Sequence, residues 1–172
     1  MKKMLGFCLV GLCVLSARAG APLMLDWGTV DTSSAAQQKQ SQAIRTSSRA
    51  ATVQALSAKG TAPWLVQFND VVREEWKTAM EAAGATLKGY IPENAFLVEA
   101  TPKQIAKIGA MADVAYVGEF LPDYKRAAKV RAKLARVKAA AEADVASTYR
   151  ILLFSGGDLD AVVQKIEALT GA

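Results

Sequence analysis

Histidine is absent from the 172 residues of this chain. Its absence excludes a Ser-His-Asp or Cys-His nucleophile system, an imidazole metal ligand and an imidazole general base. The sequence holds only two cysteines, Cys8 and Cys13, and both lie in its first apolar stretch. Beyond that stretch we expect no disulfide and no cysteine-based metal or redox site. We therefore expect a protein without catalytic residues, metal or cofactor.

Long hydrophobic runs are also scarce, and the longest lies at the start of the chain. Lys2 and Lys3 precede an apolar run over residues 4–16, and Ala17-Arg18-Ala19 is a small-x-small cleavage pattern. This arrangement is typical of a secretory signal peptide, and the run is shorter than the roughly 20 residues of a membrane span. We predict that residues 1–19 are a signal peptide processed after Ala19, with an uncleaved anchor as the alternative. The protein is then exported (secreted, periplasmic or at the cell surface), without a stable membrane span after cleavage.

Aromatic residues make up only 7% of the sequence, and most of the positive charge excess disappears with the signal peptide. Removal of residues 1–19 leaves 18 of the 21 basic residues beside 16 acidic ones, so the net charge falls from +5 to +2. The aromatic residues are not interleaved with the basic ones, as a surface that binds single-stranded nucleic acid would need. We expect no nucleic-acid partner.

Residues 20–62 have the composition of a low-complexity leader. Ala, Ser, Thr and Gln dominate and apolar residues are sparse, so this stretch alone cannot offset the entropy of its own ordering. The Ala and Gln content allows a frayed helix over about 34–58. Leu23, Leu25 and Trp27 are the side chains in this leader that could pack on another part of the protein.

Residues 63–124 alternate between the two periodicities of secondary structure. Period-2 alternation predicts four strands, at Trp64–Phe68, Thr86–Ile91, Ala95–Ala100 and Val114–Phe120. Helical spacing predicts one helix after Asn69-Asp70, with Gly84 at its end, and a second helix after Thr101, which forms a capping box with Gln104. The order β-α-β-β-α-β indicates an α+β fold of the ferredoxin-like, split βαβ type.

Residues 125–147 are predicted to be a basic, Ala-rich helical linker. Seven basic residues precede the first acid, Glu142, and these are Lys125, Arg126, Lys129, Arg131, Lys133, Arg136 and Lys138. A solvated helix explains them. Two alternatives remain open: attraction to acidic polymers or lipid head groups, and a processing site at Lys125-Arg126.

Residues 148–172 repeat the pattern of the first strand and helix of the preceding unit. Tyr149–Phe154 resembles Trp64–Phe68, and a second amphipathic face follows at Leu159, Val162, Val163, Ile166 and Leu169. We predict a partial second β-α unit. Whether the natural product is longer, whether the reading frame is truncated and whether this half docks on the first unit stay open.

Three strings of residues carry a resemblance to a known family: Trp64–Phe68 with Val72–Trp76, Tyr90–Val98, and Val117–Lys125. Over about 63–125 the chain resembles the N-terminal, propeptide-like region of secreted bacterial subtilisin-like serine proteases (subtilases), of the fervidolysin-like kind. The resemblance implies a ferredoxin-like, inhibitor-type domain that assists folding of the protease domain and covers it. Its partner is then a subtilisin-like protease domain, in cis or in trans. No protease domain follows here and the family's catalytic motifs are absent, so no catalytic residue carries over.

One face of the predicted sheet is the candidate partner-binding site. Two helices cover only one face of a four-stranded sheet, and exposed apolar side chains on the other face often mark an interface. In the resembling propeptides the open face meets the protease. Trp64, Val66, Phe68, Phe96, Val98, Val114 and Tyr116 share one alternation phase. The opposite phase gives the candidate binding residues Leu65, Gln67, Leu97, Glu99, Val117 and Glu119, and which of the two phases faces outward stays open at this point.

Two alternatives accompany this site. The leader or residues 149–172 could cover the second face, which would then not be open to a partner. The function could also be that of an exported ferredoxin-like domain that binds a small ligand or another protein and is unrelated to proteolysis.

Overall fold

The computed structural model describes residues 20–46, 60–140, 149–153 and 157–170. The predicted signal peptide, both cysteines and the processing position at Ala19 lie outside these residues. The strands are β1 (Leu23–Leu25), β2 (Gly28–Val30), β3 (Ala62–Phe68), β4 (Thr86–Ile91), β5 (Ala95–Ala100) and β6 (Val114–Glu119). The helices are α1 (Ala35–Thr46), α2 (Glu74–Ala82), α3 (Pro102–Gly109), α4 (Ala128–Ala140) and α5 (Leu159–Thr170), and a 3₁₀ turn spans Pro122–Lys125. The chain is an α+β protein.

The central feature is a four-stranded antiparallel sheet with the strand order β4-β5-β3-β6. Strand β3 lies inside the sheet, between β5 and β6, and its apolar, β-branched and aromatic residues suit a strand that is buried on both faces. Strands β1 and β2 form a separate antiparallel hairpin. Among the helices that the structure describes, none is both long and apolar enough to cross a membrane.

Helix α3 starts where local sequence signals predict, whereas α2 starts later than the expected cap at Asn69-Asp70: its N-cap is Arg73, whose side chain makes no capping bond. In α3, the Thr101 hydroxyl accepts from the Gln104 backbone N–H, and the Gln104 side chain accepts from the Thr101 N–H, so the predicted capping box is confirmed. Two acidic residues occupy the first turn of α2, where they complement the helix dipole. Gly84 follows α2 with a φ of +94°, the left-handed conformation predicted for this position.

Helices α2 and α3, with Ile44 of α1, cover the first face of the sheet. The buried side chains there include Trp64, Val66, Phe68, Trp76, Met80, Val98, Ile105 and Ile108. The rings of Phe68 and Trp76 stack at 4.9 Å, and the Trp64 indole N–H donates to the Ala100 carbonyl at 2.9 Å. The large ring of Trp64 is therefore buried with its polar atom satisfied.

The expected alternation phase is wrong for Tyr116 and Val117, because the pairing of β3 with β6 contains an irregularity. Gln67 pairs with Tyr116, and Phe68 pairs with Val114, so Ala115 has no partner in the ladder. A bulge of one residue reverses the alternation on either side of it. Tyr116 therefore packs on the second face, and Val117 packs on the first.

The leader packs on the sheet from Gly20 as far as Thr46, and Leu23, one of the three side chains expected to be able to pack on another part of the protein, is buried there. The hairpin β1–β2 and helix α1 both contact the sheet, and Leu23, Val30, Thr32, Ser41 and Ile44 are buried. A few apolar and polar contacts with the sheet order this segment, although its composition alone does not predict that it is ordered. Residues 47–58 of the predicted frayed helix lie outside the described residues.

The C-terminal segments contribute less to this core. Helix α4 and helix α5 form within the stretches predicted to be helical, and the side chains described in them are exposed or half-buried. The predicted strand at Tyr149–Phe154 does not form in its described part, Tyr149–Leu153.

Candidate partner-binding surfaces

The second face of the sheet, predicted to be open, is covered. The hairpin β1–β2 places Leu23 and Val30 on it, and they pack against Leu65, Ile91, Ala95, Leu97 and Tyr116. Leu25, Trp27, Phe120 and Tyr124 extend this cluster as partly buried residues. The expectation of an exposed apolar face is therefore wrong, and the alternative of cover by the leader describes the structure.

The six candidate binding residues do not form one exposed surface. Leu65, Gln67 and Leu97 are buried beneath the hairpin, and Val117 is buried on the opposite face. Glu99 and Glu119 are half-buried. Glu99 lies beside the strand edge, where it accepts a hydrogen bond from Thr61 at 2.7 Å and pairs with Lys88 at 2.9 Å.

Gln67 holds the hairpin segment onto the sheet. Its side chain is only 1% exposed. The Thr32 hydroxyl donates to Gln67 Oε1 at 2.7 Å, and Gln67 Nε2 donates to the carbonyls of Ala21 at 2.7 Å and Glu93 at 3.0 Å. A buried amide with all these partners stabilises the fold and has no spare group for a ligand. Gln67 thus has a structural role instead of the predicted binding role.

Helix α1 closes the β6 edge of the sheet through polar side chains. The Ser41 hydroxyl accepts from the Val117 N–H at 3.0 Å. The Arg45 guanidinium donates to the carbonyls of Gly109 at 2.7 Å, Val114 at 3.0 Å and Ala115 at 2.8 Å. Burial lowers the pKa of Arg45 from its usual value, but arginine still remains charged at neutral pH. Helix α1 therefore engages three backbone groups of β6 and lies where another strand would have to pair.

Tyr116 adds a further polar contact between α1 and β6. Its hydroxyl donates to Gln37 Oε1 at 2.6 Å. Burial, reinforced by the negative charges of ionised Tyr124 and Glu119, raises the pKa of the Tyr116 phenol well above its usual value. The phenol therefore stays protonated and keeps its role as a donor over the neutral range.

Sequence reasoning missed Ser41 and Arg45 because both lie in the low-complexity leader. The signal that could have found them is their spacing. Gln37, Ser41, Ile44 and Arg45 follow one another at helical intervals of four, three and one, which places them on one side of a helix. Three of these four side chains are polar, so a search for an apolar stripe does not find them.

The opposite edge of the sheet, β4, is the strand edge left open in the described part of the chain. Only β5 pairs with β4. Gly89 is exposed, and Tyr90 is 58% exposed although its ring packs edge-on against Phe96 at 5.4 Å. Lys88 is skipped in the β4–β5 ladder, and its side chain is held by Glu99. The outer side of β4 thus offers backbone groups and one large ring to a partner.

The turn between β4 and β5 is fixed beside this edge. Glu93 and Asn94 both have left-handed backbone conformations, with φ of 69° and 58°. Asn tolerates this conformation, whereas it is uncommon and strained for Glu. Phe68 N–H donates to the Asn94 carbonyl at 2.9 Å, and Gln67 donates to the Glu93 carbonyl, so β3 holds the turn in place.

The start of α4 is attached to the hairpin. The Arg131 guanidinium lies over the Trp27 ring at 4.8 Å, Trp27 packs against Tyr124 at 4.9 Å, and the Ala128 N–H donates to the Asp26 carbonyl at 3.0 Å. The candidate processing site Lys125-Arg126 is exposed just before α4, and Arg126 pairs with Asp123. Among the described residues, no group of three His, Cys, Asp or Glu side chains could hold a metal ion.

These observations define an α+β domain with one covered and one open strand edge, and comparison with known proteins places it in a family. The family model described as a domain of unknown function (DUF8729) matches residues 24–121, more than half of the chain. The chain belongs to this family. The match begins in β1 and ends before the 3₁₀ turn, so the hairpin and α1 are included. No curated protein and no solved structure matches the chain.

Proposed function

We propose that the chain is a non-catalytic, exported module of the subtilase-propeptide type, which binds a subtilisin-like protease domain in cis or in trans. The body of the module is a ferredoxin-like split βαβ unit. The binding element is the β4 edge with the adjoining turn, and the sheet face predicted from the sequence is not part of it. One observation carries the proposal: both faces and the β6 edge are covered, whereas β4 is open in the described residues.

The arrangement of β3 to β6 supports the split βαβ body. The element order is β-α-β-β-α-β, the strand order is β4-β5-β3-β6, and every neighbouring pair is antiparallel. In such a unit the first and third strands lie together in the centre, and the second and fourth lie at the edges. Strands β3 and β5 occupy the two central positions, and β4 and β6 occupy the two edge positions.

The position of the resemblance supports the choice of partner. Its most specific string, Tyr90–Val98, contains the end of β4, the left-handed turn and most of β5. An extended segment of a protease domain that pairs with β4 would gain main-chain hydrogen bonds, and the exposed Tyr90 ring would add apolar contact area beside them. The propeptide resemblance and the open edge therefore point to the same part of the surface.

The experiment is inhibition of purified secreted subtilisin-like proteases by residues 20–172, the form left after the predicted processing. We expect slower substrate cleavage, and a higher refolding yield of the protease domain, with at least one enzyme of the panel. Tyr90→Ala should weaken inhibition by about 30-fold, the effect of losing an interface anchor worth about 2 kcal/mol. Val71→Ala removes a side chain that is 72% exposed in the loop between β3 and α2, outside β4 and the β4–β5 turn, and it should leave inhibition unchanged.

Two results would overturn this proposal. One is the absence of any effect of the unmodified chain on activity or refolding across the panel. The other is inhibition that Tyr90→Ala and Val71→Ala change equally, because the β4 edge would then have no special role. If the unmodified chain has no effect, the hypothesis of an exported binding domain unrelated to proteolysis explains the data better.

A further inference from the structure

Helix α4 presents a row of cations on one side. Lys129, Lys133 and Arg136 are spaced by four and three residues, which places them on the same helical face, and all three are exposed. Arg131 lies on a different face, where it contacts the Trp27 ring. The contact through Arg131 attaches α4 to the hairpin, and the face that carries Lys129, Lys133 and Arg136 (the basic stripe) lies away from that attachment.

The charge of the whole chain is segregated around this stripe. Residues 125–138 contain seven basic residues and no acidic one, a net charge of +7. Residues 20–124 contain nine basic and 11 acidic residues, and residues 139–172 contain two basic and five acidic ones. The net charges of these flanking parts are −2 and −3. The positive potential is therefore concentrated in one short segment, which attracts an anionic surface even though the exported protein as a whole is only weakly basic.

Apolar side chains lie next to the same stripe. The Tyr149 ring is 5.8 Å from Lys133 Nζ, so the described segment Tyr149–Leu153 starts beside the basic stripe. In that segment Ile151 is 59% exposed and Leu152 is 81% exposed. Cations beside an aromatic ring and exposed aliphatic chains are the combination that binds the boundary between lipid head groups and acyl chains.

We propose that the basic stripe and the Tyr149–Leu153 segment together bind the surface of an anionic lipid bilayer. The ammonium and guanidinium groups contact lipid phosphates, and the aliphatic side chains enter the outer part of the acyl layer. A nucleic acid or an acidic polysaccharide satisfies the cations equally well, but it gives Ile151 and Leu152 no apolar environment. This interaction is independent of the protease proposal, because it uses residues outside the β4 edge.

The test is co-sedimentation of residues 20–172 with two kinds of vesicle, phosphatidylcholine alone and phosphatidylcholine mixed with phosphatidylglycerol. We expect binding only to the vesicles that contain phosphatidylglycerol. Binding should be lost at about 1 M salt, where the screening length falls to about 3 Å. Replacing Lys129, Lys133 and Arg136 together by Gln should lower the partition coefficient by roughly 100-fold, which is about fivefold for each cation near the surface.

Two further variants separate the contribution of the cations from that of the aliphatic side chains. Replacing Lys39, Lys103 and Lys107 by Gln changes the net charge by the same amount on exposed positions of α1 and α3, and it should alter the partition coefficient by less than about threefold. Replacing Ile151 and Leu152 by Ser keeps all charges and should weaken vesicle binding by more than tenfold. Each replacement removes most of an aliphatic side chain that would be buried in the acyl layer of the bound vesicle. Circular dichroism of each variant shows whether it keeps its fold.

Three outcomes would overturn the proposal. The first is equal binding to both kinds of vesicle, and the second is equal loss in the two triple-Gln variants. The third is tight binding to heparin or single-stranded DNA, together with vesicle binding that the Ile151 and Leu152 replacements do not change, because the partner would then be a soluble polyanion.

Discussion

The Thr32 hydroxyl donates a 2.7 Å hydrogen bond to Gln67 Oε1, across 35 positions of the sequence. Thr32 follows the hairpin, and Gln67 lies in β3, so this bond joins the segment after the hairpin to the middle of the sheet. Both side chains are buried. The same glutamine binds the carbonyls of Ala21 and Glu93. One amide therefore links the N-terminal segment, the central strand and the β4–β5 turn.

Replacing Gln67 should destabilise the domain strongly. Gln67→Leu keeps a similar volume but removes both amide donors and the 2.7 Å acceptor of Thr32, whose hydroxyl keeps only longer contacts to the carbonyls of Gly20 at 3.5 Å and Ala21 at 3.4 Å. We expect a loss of about 2–3 kcal/mol in the free energy of unfolding. Urea denaturation measures this loss. Gln42→Leu, at an exposed position of α1, is the control and should change stability by less than about 0.5 kcal/mol. Equal effects of the two replacements would contradict the role of Gln67.

Removal of the α1 side chains should open the β6 edge. Ser41→Ala deprives the buried Val117 N–H of its acceptor, so we expect faster hydrogen exchange at that amide and a loss of about 1–3 kcal/mol in the free energy of unfolding.

Arg45→Lys should be nearly as destabilising as Arg45→Ala, because a single ammonium cannot reproduce the forked donors that reach three carbonyls. Full rescue by lysine would show that charge alone matters at this position.

Stability should fall at alkaline pH because of Tyr116. Burial raises the pKa of its phenol above the ordinary value of 10.0, so the unfolded chain loses this proton before the folded chain does. The stabilising contribution is complete below pH 10 and is lost as the pH rises above 10 toward the folded-state pKa. Unfolding free energies measured on both sides of pH 10 should show a steeper decline in the unmodified protein than in Tyr116→Phe.

A smaller part of the alkaline decline should persist in Tyr116→Phe. Burial, with Asp123 nearby, also raises the pKa of Tyr124, which is less deeply buried than Tyr116. Tyr124→Phe should therefore remove less of the pH dependence than Tyr116→Phe. An identical alkaline profile for the unmodified protein and Tyr116→Phe would contradict this account.

The contact between Arg131 and Trp27 should limit the opening of α4. A cation–π contact at an exposed position contributes about 0.5–1 kcal/mol, so Arg131→Ala should speed hydrogen exchange of the α4 amides by about two- to fivefold. Arg136→Ala removes a cation of the same helix that lies on the basic stripe, and it should leave exchange nearly unchanged. Amides of β3 report global unfolding and should be unaffected in both variants.

The sequence patterns predict the elements from β3 to β6 well because their signals are local. The capping box at Thr101 and Gln104, the left-handed Gly84 and the alternation of β3 and β5 each depend on neighbouring residues. The bulge opposite Gln67 is different, since it arises from the pairing of two strands that are distant in sequence. Regular alternation of side chains along β6 therefore assigns Tyr116 and Val117 to the wrong faces of the sheet.

The candidate site was harder to predict than the fold. Composition made residues 20–46 resemble a leader, yet Leu23 and Val30 cover the face that was expected to bind a partner. Such packing depends on a few residues whose partners lie more than 30 positions away, and no local signal marks them. The open β4 edge could not be predicted for the same reason. It is recognised only when the elements that cover the two sheet faces and the β6 edge are known.

The helix along β6 also determines how copies of this domain can associate. Among the strands of the four-stranded sheet, β4 alone has an outer side that the described residues leave open, so edge-to-edge pairing of two such sheets would join β4 to β4. Two copies joined in this way are related by a two-fold axis, and each presents its α1-covered side outward. In the described residues the β6 edges at both ends of this eight-stranded pair are covered by α1, so association through the four-stranded sheet would stop at a dimer without building a fibre.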